Sequence, residues 1–76
     1  MIYVENVKIE PDHSGRYHAD ASDLGLKVGE WPDKLSGLDA AGERFELRRN
    51  TRITHAGEFV GWSYNGPLGR FEVYND

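Results

Sequence analysis

Seventy-six residues with 13 acidic and 9 basic side chains, for a net charge of −4, allow one small domain and exclude a generically basic nucleic-acid binder. Cysteine is absent, which excludes disulfide frameworks, thiol catalysis and cysteine zinc sites, and favours a reducing, cytoplasmic setting. The opening Met1–Glu5 has no basic, then apolar, leader pattern, and no apolar run approaches the ~20 residues of a membrane span, so no membrane partner is expected.

Nine glycines and three prolines punctuate short segments rich in β-branched and aromatic residues. The expected fold class is therefore all-β: a small curled antiparallel sheet or barrel, with an N-terminal hairpin and a four-stranded meander over about 34–39, 43–54, 58–64 and 69–75. Ile2–Ile9 reads as one strand whose apolar parity shifts near Glu5-Asn6, the mark of a bulge. Pro11–Gly15 reads as a turn, after which Arg16–Ala21 would run back along the first strand. Asp20–Leu26 allows one short helical turn capped by Asp20 or Ser22, and Gly25 and Gly29 exclude a longer helix. Pro32 pushes Trp31 into an extended conformation, and Trp31 is expected to plug the barrel end rather than to bind a partner.

The second half can be registered from its loops. Asp39–Glu43 fits a three-residue hairpin loop with Gly42 left-handed, which pairs Leu35 with Leu47 and Gly37 with Phe45. A four-residue loop at His55–Glu58 pairs Thr54 with Phe59, Ile53 with Val60 and Thr51 with Trp62. A two-residue turn at Asn65-Gly66 would demand an N–H that Pro67 lacks. A four-residue loop at Asn65–Leu68 avoids this and pairs Tyr64 with Gly69, Trp62 with Phe71 and Val60 with Val73. The three registers agree on one inward face: Leu35, Phe45, Leu47, Thr51, Ile53, Val60, Trp62, Tyr64, Phe71 and Val73. Arg49 alone dissents, falling on the inward side, which calls for a bulge at Arg48-Arg49 or a break in the strand.

The outward face carries the candidate site. Its rows are Thr54–Phe59–Tyr74, Arg52–Gly61–Glu72 and Asn50–Ser63–Arg70, and Arg44, Arg48, Arg52, Phe59, Arg70 and Tyr74 are its candidate binding residues. Arginines and aromatics are enriched where proteins meet. The same pair of residue types also builds single-strand nucleic-acid platforms, where bases stack and guanidiniums meet phosphates.

Charge separates these readings only in part. Residues 1–43 hold nine acids and four bases, whereas residues 44–76 hold four acids and five arginines. Asp12, His13, His18, Asp20 and Asp23 are ligand types, but their spacing matches no standard metal site, and turns and caps account for the aspartates. Ser14, Ser22, Ser36 and Ser63 lack a nucleophile context, and His55 has no acid beside it. The carboxylate pairs Glu43/Glu46 and Glu58/Glu72 read as solvated sheet surface. No catalytic residue, metal or cofactor is expected. For so short a chain, burial and ordering nearly cancel, so a second copy or a protein partner is the expected source of added stability. The expected function is a non-enzymatic protein-interaction module of regulatory or inhibitory type, self-associating or bound to another protein. Single-stranded nucleic-acid binding is the alternative.

Overall fold

Glu5 and Asn6 both adopt left-handed backbone conformations, with φ of 49° and 68°, so the chain reverses at the point where its apolar parity shifts. In the computed structural model, which describes residues 1–76, β1 (Ile2–Val4) and β2 (Val7–Ile9) thus form a two-residue hairpin rather than one bulged strand. Pairing Ile2 with Ile9 and Val4 with Val7 brings all four apolar residues to one face, where a continuous strand would have split them. A non-glycine pair at positive φ is costly. Two bonds to one residue hold it: the Glu5 N–H donates to the Ser36 carbonyl at 2.9 Å, and the Ser36 N–H donates to the Glu5 carboxylate at 2.7 Å.

The next strand corrects a second expectation. β3 (Tyr17–Asp20) does not run back along the first strand. It crosses to the far side of the sheet and pairs parallel with β7 (Gly69–Tyr74), Tyr17 opposite Phe71 and Ala19 opposite Val73. A 3-10 turn follows over Ala21–Leu24 and buries Ala21 and Leu24 at one end of the core. Asp20 occupies its N-cap position without making a side-chain cap bond. The Asp76 carboxylate instead accepts the Ser22 N–H at 3.1 Å and the Ser22 hydroxyl.

The meander itself is present as β4 (Lys34–Leu38), β5 (Arg44–His55), β6 (Glu58–Gly66) and β7. Leu35–Leu47 and Gly37–Phe45 pair as the loop arithmetic requires, and Gly42 is left-handed with φ 82°. The other two registers differ, although the expected Thr54–Phe59 pair forms. β5 and β6 are joined by a two-residue turn, Ala56-Gly57, with His55 opposite Glu58 and Thr54 opposite Phe59. An extra residue, Val60, then sets Ile53 against Gly61 and Arg52 against Trp62, displacing the expected Ile53–Val60 and Thr51–Trp62 pairs. β6 and β7 are joined at Pro67-Leu68, with Gly66 opposite Gly69, Tyr64 opposite Phe71 and Trp62 opposite Val73. Pro67 sits at the first loop position, where its fixed φ fits and no ladder bond needs its N–H. The slip from the expected register is two residues, so every side chain keeps its face.

The strands form one sheet in the order β2-β1-β4-β5-β6-β7-β3, curled until β2 approaches β3, and 55% of the residues are strand. Its core holds Ile2, Val4, Ile9, Ala19, Ala21, Leu24, Leu35, Leu47, Tyr64, Phe71 and Val73. Phe45 and Trp62 pack on it half-buried, Ile53 and Val60 are half-buried and Thr51 is exposed, so the expected inward set divides. No buried side-chain polar atom lacks a partner, and no helix is long and apolar enough to cross a membrane.

Candidate functional site

Two irregularities in the β5–β6 pair build the most distinctive surface of the molecule. On β5 the register shifts between Arg49 and Arg52, an extra residue at Asn50-Thr51. Ser63, fully buried on β6, stitches this bulge: its Oγ accepts the Thr51 N–H and donates to the Thr51 carbonyl, both at 3.2 Å. Because of the extra residue, Arg49 and Arg52, three apart, point to the same side of the sheet. On β6 the extra residue at Val60 does the same for Phe59 and Trp62. Four side chains that a regular ladder would divide thus share one face.

Their contacts form two stacked pairs. The Arg49 guanidinium lies over the Trp62 ring at 4.9 Å and the Arg52 guanidinium over the Phe59 ring at 5.3 Å. Trp31 meets Phe59 edge-on at 5.6 Å, with ring planes at 82°. Arg49 is further held by the Trp31 carbonyl at 2.5 Å and by the Asp33 carboxylate at 2.8 Å, whereas Arg52 has no carboxylate partner. Beneath them the Tyr64 hydroxyl donates to the Pro32 carbonyl at 2.8 Å, and burial pushes its pKa up. The loop that brings Trp31 and Asp33 over the sheet is therefore tied down at three points.

The six expected site residues divide among separate places. Arg52 and Phe59 lie in the cluster just described, with Phe59 turned from the outward to the inward side by the Val60 bulge. Arg44, Arg48, Arg52 and Arg70 are all exposed. Arg44 lines an open groove of about 750 Å³ together with Tyr3, Glu5, Leu38, Phe45 and Glu46. Arg48 and Arg70 share one outward cross-strand row, Lys34–Arg48–Asn65–Arg70. Glu46 lies 3.6 Å from Lys34 and 3.9 Å from Arg48. Glu72 pairs with Arg70 at 3.0 Å, not with Arg52, which faces the other way.

Tyr74 is half-buried, its ring edge against His18 and its hydroxyl donating to Glu72 at 3.0 Å. Burial, followed by that bond to a carboxylate, pushes its pKa up. Phe59 and Tyr74 each meet an aromatic ring from outside the N-terminal hairpin. Trp31 lies against Phe59, and His18 of β3, the strand beside β7, lies against Tyr74.

Arg49, Trp31 and Trp62 are the site residues that the reading of the sequence left out. The signal for Arg49 was its own dissent, an arginine at inward parity between Leu47 and Ile53. Of the His/Asp constellation, Asp12 and His18 approach at 3.6 Å, and no three metal-ligand types converge. Asp12 instead caps its own turn, accepting the Ser14 hydroxyl at 2.6 Å and the Ser14 and Arg16 N–H groups at 2.9 and 3.0 Å. Those bonds, the Ser14 hydroxyl first, hold its pKa down at about 2. No protein family, curated protein or solved structure matches the chain.

Proposed function

We propose that this chain is a non-enzymatic protein-interaction module of regulatory or inhibitory type, working in a reducing cytoplasm, whose partner surface is the Arg49/Arg52–Trp31/Phe59/Trp62 cluster. One observation carries the reading: each sheet aromatic in the cluster already has an arginine on its ring face. A nucleobase would have to displace a guanidinium to stack there. A protein surface can instead use the guanidinium donors at the rim and the half-buried rings beneath, the composition enriched in binding hot spots.

The single-stranded nucleic-acid reading rests on a different surface, the outward Lys34–Arg48–Asn65–Arg70 row. Glu46 and Glu72 neutralise part of that row, and Tyr74 lies four residues beyond Arg70 on β7. Titration of labelled single-stranded oligonucleotides at ~50 and 200 mM salt separates the two, since several phosphate contacts imply a tenfold or greater drop in affinity. The expected result is no binding at the lower salt. In parallel, capture from nuclease-treated host lysate is expected to retain one specific protein that Arg52→Ala or Phe59→Ala releases. Salt-sensitive oligonucleotide binding lost in Arg48→Ala and Arg70→Ala would replace this reading with the other.

A further inference from the structure

The β5–β6 arm outruns its neighbour. On the β4 side the last strand pair is Lys34–Arg48 and the last backbone bond runs from the Arg49 N–H to the Asp33 carbonyl at 2.8 Å. From Asn50 to His55 the only strand beside β5 is β6, and every residue of this stretch is exposed except half-buried Ile53. Backbone groups in an antiparallel ladder alternate in direction. His55, opposite Glu58 across a two-residue turn, directs its N–H and C=O to β6, as does Ile53 opposite the Val60 bulge. The N–H and C=O of Arg52 and Thr54 therefore point to the open edge. The other edge strands, β2 and β3, are three and four residues long and approach one another across the seam. The β5 edge is the long one, it contains no proline, and it is rich in β-branched residues, the features of a strand that pairs.

We propose that this edge pairs with the same edge of a second copy, antiparallel about a two-fold axis through Ile53. The register follows from the free groups. Arg52 opposite Arg52 would set like charges together and leave Thr54 facing Asn50, whose side of the ladder is taken by the bulge. Thr54 opposite Thr54 would leave Arg52 facing the Ala56 turn. Only Arg52 opposite the partner copy's Thr54, and the reverse, satisfies all four open groups of each chain. Ile53 then meets its own copy in a close, non-hydrogen-bonded pair.

The side chains agree with this register. Arg52 is drawn back over Phe59, away from the edge, so the two guanidiniums do not confront each other. On the outward face Gly61 separates Ile53 from Tyr74. The row Tyr74–Gly61–Ile53 continues through the axis into its mirror sequence, an apolar stripe shared by both copies. An isologous contact of this kind closes at two chains.

Because the chain has no cysteine, Ile53→Cys is a clean reporter. A close antiparallel pair places Cα atoms about 4.5 Å apart, within disulfide reach. Mild oxidation is expected to convert Ile53→Cys to a covalent dimer, while Val28→Cys, on a fully exposed loop, stays largely monomeric. Sedimentation of the unmodified protein at about 100 µM, where a dimer with Kd of ~1 µM is nearly saturated, is expected to give twice the chain mass. Thr54→Pro, which removes an edge N–H that the β6 ladder does not use, should return it to monomer with an unchanged circular dichroism spectrum. A monomer at that concentration, with Ile53→Cys cross-linking no faster than Val28→Cys, overturns the proposal even if Thr54→Pro fails to fold. That outcome leaves the Arg–aromatic partner reading standing, because Arg52→Ala and Phe59→Ala report on the face and not on the edge.

Discussion

Ala56 is one of three non-glycine residues held at positive φ. It opens the β5–β6 turn at φ 52°, a left-handed conformation that a Cβ disfavours by ~1 kcal/mol or more. Asparagine tolerates that conformation, and Asn-Gly is the preferred two-residue hairpin turn. Ala56→Asn should therefore stabilise the protein by ~0.5–1 kcal/mol, raising Tm by about 3–6 °C in a thermal melt. Gly61 is the converse case. A Cβ there would overlap the Val73 carbonyl oxygen, part of the neighbouring backbone. Gly61→Ala should cost about 2–3 kcal/mol, read as a lower urea midpoint at unchanged slope.

Asp12 supplies a pH test at the same scale. Its carboxyl pKa is about 2 in the fold against an ordinary 3.8, so the anion is preferred in the native state. The stabilisation is complete above about pH 4 and is lost as pH falls toward about 2. Asp12→Asn keeps an acceptor oxygen for the turn but does not titrate. It should lose less stability than the parent between those two pH values, measured by urea unfolding at each. A parallel loss in both proteins would remove Asp12 from the acid transition.

At the level of elements, what could be read from the sequence depended on whether the turn carried its usual residues. Asp39–Glu43 did: aspartate first and glycine at the left-handed position fixed the loop, and the β4–β5 register follows from it. Glu5-Asn6 and Ala56-Gly57 begin with residues that seldom adopt positive φ, so the first hairpin looked like a bulged strand and the second loop looked two residues too long. Pro67 was rightly barred from a ladder position, but the turn moved forward to place it inside the loop. Faces survived that error and the two bulges did not permit the same on β5. No local pattern announces an extra residue at Asn50-Thr51, because its support is Ser63 on another strand. The Arg–aromatic cluster was correspondingly half legible, with Arg52 and Phe59 named and Arg49, Trp31 and Trp62 assigned elsewhere. Ser63→Ala should destabilise by ~1–2 kcal/mol through the lost Thr51 bonds, and the Thr51 amide should exchange faster with deuterium than its neighbours on Arg48 and Arg49.

For the whole molecule, the decisive contact is the parallel pair of β3 with β7, which sequence alone does not show because strand propensity carries no partner identity. It makes β7 an interior strand, with β6 on one side and β3 on the other. A chain ending at Leu68 would lose Phe71 and Val73 from the core, leave β3 without a ladder partner and open one edge of β6. Such a truncation should be insoluble or melt without cooperativity. A soluble, cooperatively folding product would show that the curled sheet closes without it.

That same pairing imposes a waiting time during synthesis. β3 and its 3-10 turn leave the ribosome early, yet their partners, Gly69–Tyr74 and Asp76, lie some 54 residues downstream. At ~5–20 residues per second, translation leaves that segment unpaired for roughly 3–10 s. In that interval Tyr17, Ala19, Ala21 and Leu24, which pack in the finished core, have no core to enter, and they are interspersed with the polar His18, Asp20, Ser22 and Asp23. The last strand to be made is therefore the one that gives these apolar positions their shelter.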